Sequence, residues 1–326
     1  MFKIRKINPK ARSEINTGFG VNSSDYGGRF LNKNGEPNVT KKGIGYFEQT
    51  SWYHTLLLMP KWKFLLCIIV YYIAINLIFA IVYFSMGVED LAGITPTSHL
   101  SNFAESFFFS CQTFTTVGYG RVSPVSFLAS SISSLEALLG LLTLAVITGL
   151  LYGRFSRPKA FIRFSDNALL APFNNGKAIM LRLAPFKNTT LTDAEAKITL
   201  GLVGEENGKM VNKFYQLPLE YSMVNSLTLS WTVVHPITET SPFYNFTEED
   251  FKNAKGEILV FIKAFDDMFS NTVVSRTSYT LNEIIIGAKF NPMYHKTEAG
   301  NKTILNLDKL NSYNKVDISF TNSIEE

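Results

Sequence analysis

Two long apolar stretches dominate the pattern of the chain. FLLCIIVYYIAINLIFAIVYFSM, 64–86, carries no charge, and FLASSISSLEALLGLLTLAVITGLLYG, 127–153, carries one acid, Glu136. Each is long enough to cross a hydrocarbon core of about 30 Å as a helix, so each is a predicted membrane span. Between them, SNFAESFFFSCQT offers Ser101 or Asn102 as an N-cap followed by about three apolar turns. The helix predicted there, 102–114, is too short to cross. It must enter the bilayer and return, and irregular backbone at that depth is tolerated only where protein or water surrounds it. Upstream, YFEQTSWYHTLLLM (46–59) mixes aromatics and leucines ahead of Pro60 and suits a slide helix lying in the interface, with Trp52 and Tyr53 at headgroup level.

Beyond Lys159 the period changes to two. Short alternating segments follow one another: AFIRFS (160–165), AIMLRLA (178–184), AKITLGLV (196–203), SLTLSWTVV (226–234), EILVFIKAF (257–265), TVVSRTSYT (272–280) and KVDISF (315–320). Turn signals at Asn174-Asn175-Gly176 and Asn207-Gly208 separate some of them, which predicts an antiparallel, immunoglobulin-like β-sandwich. Residues 1–45 are polar, with glycine patches near 19 and 27–28 and a turn at Asn34-Gly35, and read as an extended N-terminal arm. The expected organisation is therefore an arm (1–45), an interfacial helix (46–59), a two-span pore domain with a re-entrant helix (60–154) and an all-β C-terminal domain (155–326).

Composition narrows the function. At 46% hydrophobic the 326-residue chain must bury or immerse much of itself, and a net charge of +4, evenly scattered, argues against nucleic acid as a partner. The two cysteines, Cys67 and Cys111, sit inside apolar runs without metal-ligand spacing, so no structural disulfide is expected, and the four scattered histidines form no metal constellation. MFKIRKINPKARSEI is basic but has no apolar core, so no cleavable signal peptide is expected. Lys61 and Lys63 precede the first span, and Arg154, Arg157, Lys159 and Arg163 follow the second, whereas the connection between spans holds only Arg121 among its basic residues. The positive-inside rule then puts both termini in the cytoplasm of a multi-pass protein of the cell (inner) membrane.

TTVGYG, 115–120, falls in the re-entrant position. Alone it is compatible with a turn or a phosphate-cradling loop, but between two spans it reads as an ion filter. The carbonyls of Thr116, Val117, Gly118 and Tyr119 and the Thr116 hydroxyl can replace the water of a bare cation if Gly118 and Gly120 adopt dihedrals that a Cβ resists. Four such TVGYG loops form the established potassium filter, and the choice of K+ rests on that precedent. One chain supplies a quarter of each oxygen ring, so a homotetramer is expected. On the second span Leu144, Thr148 and Tyr152 recur every four residues as one stripe that could line the inner pore, with Gly140 and Gly149 as candidate bending points. No enzyme is expected: Asp266 and Asp267 are adjacent, so a strand would point them to opposite faces, and no paired base or nucleophile accompanies them. No cofactor is expected besides the permeant ion. No Arg-rich helix marks a voltage sensor.

In this order of elements, the stretches GRFLNKNGEPNV (28–39), PKWKF (60–64), FFFSCQTFTTVGYG (107–120), GRFSRPKAFIRFS (153–165), HPITETSPFY (235–244) and SRTSY (275–279) are similar to those of the inward-rectifier potassium channels. Because no cysteine pair brackets the pore loop, the chain resembles the prokaryotic (KirBac-type) branch. The resemblance implies a gate at Tyr152, coupled to the β-domain through the basic junction, and a second constriction over 264–274. It also implies an anionic, phosphoinositide-like lipid site at Lys61, Trp62, Lys63, Arg154, Arg157 and Lys159. Three departures bear on function: Gln112 where the family has Glu behind the filter, Arg121 where prokaryotic relatives look acidic, and Leu144 at the acidic position that binds polyamines in strong rectifiers. The last implies weak rectification. The reading is a lipid-modulated tetrameric potassium channel. Its rivals are a cation pore of relaxed selectivity and a membrane-anchored ligand-sensing module that conducts little.

Overall fold

A computed structural model of the chain describes residues 7–14, 17–18, 28–43, 45, 51–95, 98–206 and 209–318. The start of the expected interfacial helix (46–50), the glycines at 20 and 27, the Asn207-Gly208 turn and the end of KVDISF lie outside the described residues. The chain divides into two compact units, 42–157 and 1–41 together with 158–326.

The first unit is helical. Ser51 accepts from the His54 N–H and starts α1, Trp52–Leu58. Pro60 then opens α2, Lys61–Met86, three residues ahead of the charge-free run, and Gly87 at φ +107° follows it. Ser98, not Ser101 or Asn102, caps α3, His99–Phe114, by accepting from Ser101 N–H. Ser126 accepts from Ala129 N–H and starts α4, Phe127–Phe155. At 26 and 29 residues, α2 and α4 are about 39 and about 44 Å long, enough to span with some tilt. Two-residue strands β1 (Leu91–Ala92) and β2 (Ser123–Pro124) pair antiparallel and tie the segment after α2 to the segment before α4. Gly93, at φ +89°, is required there: a Cβ would sit 1.8 Å from the Arg121 carbonyl oxygen.

The second unit is the sandwich. One sheet runs β12 (Ile284–Ile286), β4 (Ala168–Phe173), β5 (Gly176–Pro185), β3 (Ile162–Phe164), with β9 (Trp231–Pro236) also on β5. The other runs β11 (Asn271–Thr280), β10 (Lys255–Asp266), β6 (Leu191–Glu206), β7 (Lys209–Gln216), with β8 (Met223–Ser226) on β6. All these pairings are antiparallel except β12 with β4. Strand alternation builds the core: Leu181 and Leu183 from β5 cluster with Ile198 and Leu200 from β6 and Ile258 and Val260 from β10. A short helix, α5 (Glu248–Asn253), opens with a Thr247/Asp250 capping box. Small pairs β13 (Ala288–Phe290) with β16 (Tyr313–Lys315) and β14 (Tyr294–Lys296) with β15 (Thr303–Leu305) complete the unit.

The arm is not simply extended. Ser13 bridges to Tyr215 at the free edge of β7. Farther on, the Phe30 and Leu31 N–H groups both donate to the buried Glu257 carboxylate, and Arg29 forks onto Glu283 at 2.9 and 3.2 Å. The Asn34-Gly35 turn closes with Gly35 N–H on the Asn32 carbonyl, and a Cβ on Gly35 would lie 2.6 Å from the Arg276 carbonyl oxygen.

Candidate functional site

The carbonyls that α3 leaves free at its C-terminus are taken by the loop that follows. Thr115 N–H donates to Cys111 O at 3.2 Å, Thr116 N–H to Thr113 O at 3.0 Å, and Val117 and Gly118 N–H both to Gln112 O at 2.9 and 3.3 Å. The backbone then alternates: φ is +58° at Thr116, +50° at Gly118 and +80° at Gly120, while Val117 and Tyr119 are not positive. Glycine makes two of these conformations nearly free, and Thr116 carries strain of order 1–3 kcal/mol. In the single chain the loop is exposed, Tyr119 at 79%.

Behind the loop, polar groups from three helices meet in a buried cluster that the sequence reading touched only at Glu136. Tyr83 of α2 donates to Glu136 Oε2 at 2.6 Å, the Ser110 hydroxyl of α3 lies within hydrogen-bond distance of Glu136 Oε1 and of Asn76 Oδ1, and Asn76 Nδ2 donates to Tyr72 O at 2.7 Å. Asn76, Ser110 and Glu136 are fully buried. Gln112, the residue flagged for its missing carboxylate, contributes its backbone carbonyl to the loop, and the buried carboxylate comes from α4 instead. Neither Tyr83 nor Ser110 has a motif of its own; each stands out only as a polar residue in an apolar run, a weak signal that the helix faces convert into a contact.

Just past the loop, Arg121 pairs with Glu105 of α3. Gly140 of α4 abuts the end of α3 so closely that a Cβ would stand 1.9 Å from Phe114 O. The missing Cβ at Gly140 therefore permits close helix packing, whereas Gly149, the other candidate bending point, meets nothing within 4 Å. Leu144, Thr148 and Tyr152 are all exposed in the single chain, Tyr152 at 74%.

The basic residues divide into two groups. Lys61, Trp62 and Lys63 are exposed in the first turn of α2, with Lys63 Nζ 5.4 Å from the Trp62 ring centroid, and Arg157 and Lys159 are exposed as well. Arg154 is committed elsewhere: its guanidinium donates to the carbonyls of Leu56, Leu57 and Met59 at the C-terminus of α1 and stacks 4.4 Å over the Phe64 ring. Three of its five N–H donors are thus tied to the end of α1, and its charge stays beside the exposed basic residues. Over 264–274, the Asp266 carboxylate accepts from the Met268 and Phe269 N–H groups, and Ser270 adopts φ +47°, so the turn between β10 and β11 is held from within. Cys67 and Cys111 are free thiols, and among the described residues no group of three or more His, Cys, Asp or Glu could hold a metal.

Two family models match the chain. The model of the inward rectifier potassium channel C-terminal domain covers residues 162–326, and an ion channel model covers 65–157. The inward rectifier potassium channel Kirbac3.1 of Paramagnetospirillum magnetotacticum is 33% identical over 85% of this chain and 92% of its own length. The chain belongs to the inward-rectifier potassium channel family. Animal members are more distant: the inward rectifier potassium channel irk-1 of Caenorhabditis elegans is 26% identical over 80% of the chain and 52% of its own length. The G protein-activated inward rectifier potassium channel 2 of Pongo abelii is 24% identical over 81% and 67%. The chain is thus an inward rectifier of the prokaryotic kind, a membrane protein with a two-span pore domain and a β-rich C-terminal domain. The family is one of ion channels, not of enzymes.

Proposed function

We propose that four copies of this chain surround one pore and conduct K+ through rings of oxygens from Thr116, Val117, Gly118 and Tyr119, ended by Gly120. The observation that carries the reading is the change in sign of φ at each residue from 116 to 120. Peptide groups of alternating handedness align with their neighbours, which lets successive carbonyls face one side as a coordinating column. The exposure of the same loop in a lone chain is what a fourfold assembly would cover. α3 directs its negative C-terminal end toward the loop, which favours a cation. The inner-helix stripe Leu144, Thr148 and Tyr152 lines the pathway, and four Tyr152 rings close it by steric block and dewetting. Gly140 and Gly149 are the candidates for bending, and Gly149 is unhindered in the protomer.

Both termini are cytoplasmic, and an anionic headgroup binds at Lys61, Trp62, Lys63, Arg154, Arg157 and Lys159. Support comes from α2 itself: two lysines and no acid occupy its first turn, where the helix dipole is positive, so an external anion there relieves a concentration of like charge. Leu144 leaves the inner cavity without an acid at that position, which implies weak rectification by polyamines. Rubidium uptake into liposomes holding the purified protein tests the reading. Uptake that barium blocks, that Gly118→Ala abolishes and that responds to anionic lipid is expected. A pore that admits sodium as readily as rubidium overturns the selectivity assigned here.

A further inference from the structure

We propose that Glu105 sets the electrostatics of the outer mouth: by pairing with Arg121 it keeps four arginines from presenting bare positive charge to incoming cations. The inference rests on the reading of 116–120 as the filter. Arg121 directly follows that loop and is the one Lys or Arg between the two spans. Such a residue in each of four chains would oppose cation entrance unless its charge is compensated.

The surrounding backbone directs the compensation. Gly93 packs against the Arg121 carbonyl, Ala92 and Leu91 pair with Ser123 and Pro124, and Val125 N–H donates to Asp90 O at 2.9 Å. Val122 is buried with Phe79, Tyr83, Leu91 and Phe109. The chain leaving the filter is thus clamped from the Arg121 carbonyl onward, and the Arg121 side chain reaches the Glu105 carboxylate from that held backbone. Glu105 is held on α3, the same helix whose C-terminus supports the loop, so the pair and the filter share one frame. With side chains 55% and 29% exposed, the pair adds little to folding stability. Its consequence is in the field: a cation approaching the loop meets a dipole at each chain in place of a net charge.

Potassium currents through the full-length channel in planar bilayers, with K+ fixed and an impermeant salt varied, test this. Glu105→Gln is expected to lower conductance on the order of tenfold at about 10 mM salt, where the screening length is about 30 Å. The deficit shrinks toward wild type near 1 M, where that length is about 3 Å. External barium block weakens in parallel, and Glu105→Gln with Arg121→Gln restores both. Wild-type conductance in Glu105→Gln at low salt, or a double variant that stays impaired, overturns the proposal. Should Glu105→Gln fail to assemble, the neutral double variant Glu105→Gln with Arg121→Gln decides. A compensated pair predicts conductance within about twofold of wild type at low salt, whereas a gain near tenfold means the arginine charge was bare and sinks the idea. A wild-type protein that conducts no potassium sinks the filter reading itself, and that result is distinct from a defect confined to the variants.

Discussion

At the scale of single residues, the chain shows how a group can be chosen for staying uncharged. His235 is buried in β9, with Nδ1 2.6 Å from the Pro218 carbonyl oxygen and Nε2 2.8 Å from the Ser241 hydroxyl. Burial is the main cause that pushes its pKa down from 6.5 to about 4, against the opposing pull of the Pro218 carbonyl. The unfolded chain takes up a proton near pH 6.5 and the folded one only near 4. Stability from the neutral ring is therefore complete above pH 6.5 and is lost as pH falls toward 4, by about 3 kcal/mol over the window. Thermal unfolding of the detergent-solubilised protein between pH 7.5 and 4.5 should show a steeper decline for wild type than for His235→Gln; equal slopes would mean that the imidazole does not resist protonation. Glu105 and Arg121 belong to the same scale and the opposite logic, since there the charges are kept and only their sum is removed.

At the scale of elements, Arg154 joins α1 to α4. Three carbonyls at the end of α1 have no partner within that helix, and a guanidinium fork can serve several of them at once while a lysine ammonium cannot hold the same planar geometry. Hydrogen bonds to a charged group contribute about 1.5–3 kcal/mol, enough to decide whether so short a helix stays docked. Spin labels at Tyr53 and Leu150 should report a broadened distance in both Arg154→Gln and Arg154→Lys. If Lys behaves as wild type, net charge near lipid and not the carbonyl fork is what the position supplies. The element scale is also where the sequence was most legible. The spans, the re-entrant helix and most sandwich strands have periods that local chemistry sets, and their ends move only by a turn because Pro60, Ser98 and Phe155 extend them. What could not be read were contacts between distant positions. The Asn76, Tyr83, Ser110 and Glu136 cluster needs three helices to be packed before it exists. Strand β4, ALLAPF, was missed because it is apolar on both faces and lacks alternation, and the arm was read as extended because its partners, Glu257 and Glu283, lie more than two hundred residues away.

At the scale of the whole molecule, the proposed gate, like the proposed filter, requires more than one chain. Tyr152 is exposed at 74% in the protomer, one residue from Gly153, whose Cβ position lies 3.3 Å from Leu57 of α1, and two from Arg154. A large ring left unpacked in its own chain, on the helix that α1 grips, is placed to meet its copies wherever the inner helices converge. Closure by four such rings depends on their bulk and on the apolar surface they present, because a narrow apolar constriction expels water before it is physically shut. Tyr152→Ala should then raise rubidium uptake into liposomes several-fold while leaving barium block intact, since the filter is untouched. Tyr152→Phe should leave uptake close to wild type, because it keeps ring size and removes only the hydroxyl. An alanine variant with unchanged uptake, in protein shown to be tetrameric by mass measurement, would move the proposed closed point away from Tyr152 and toward the turn at 266–271, the second candidate constriction, whose shape the Asp266 carboxylate holds.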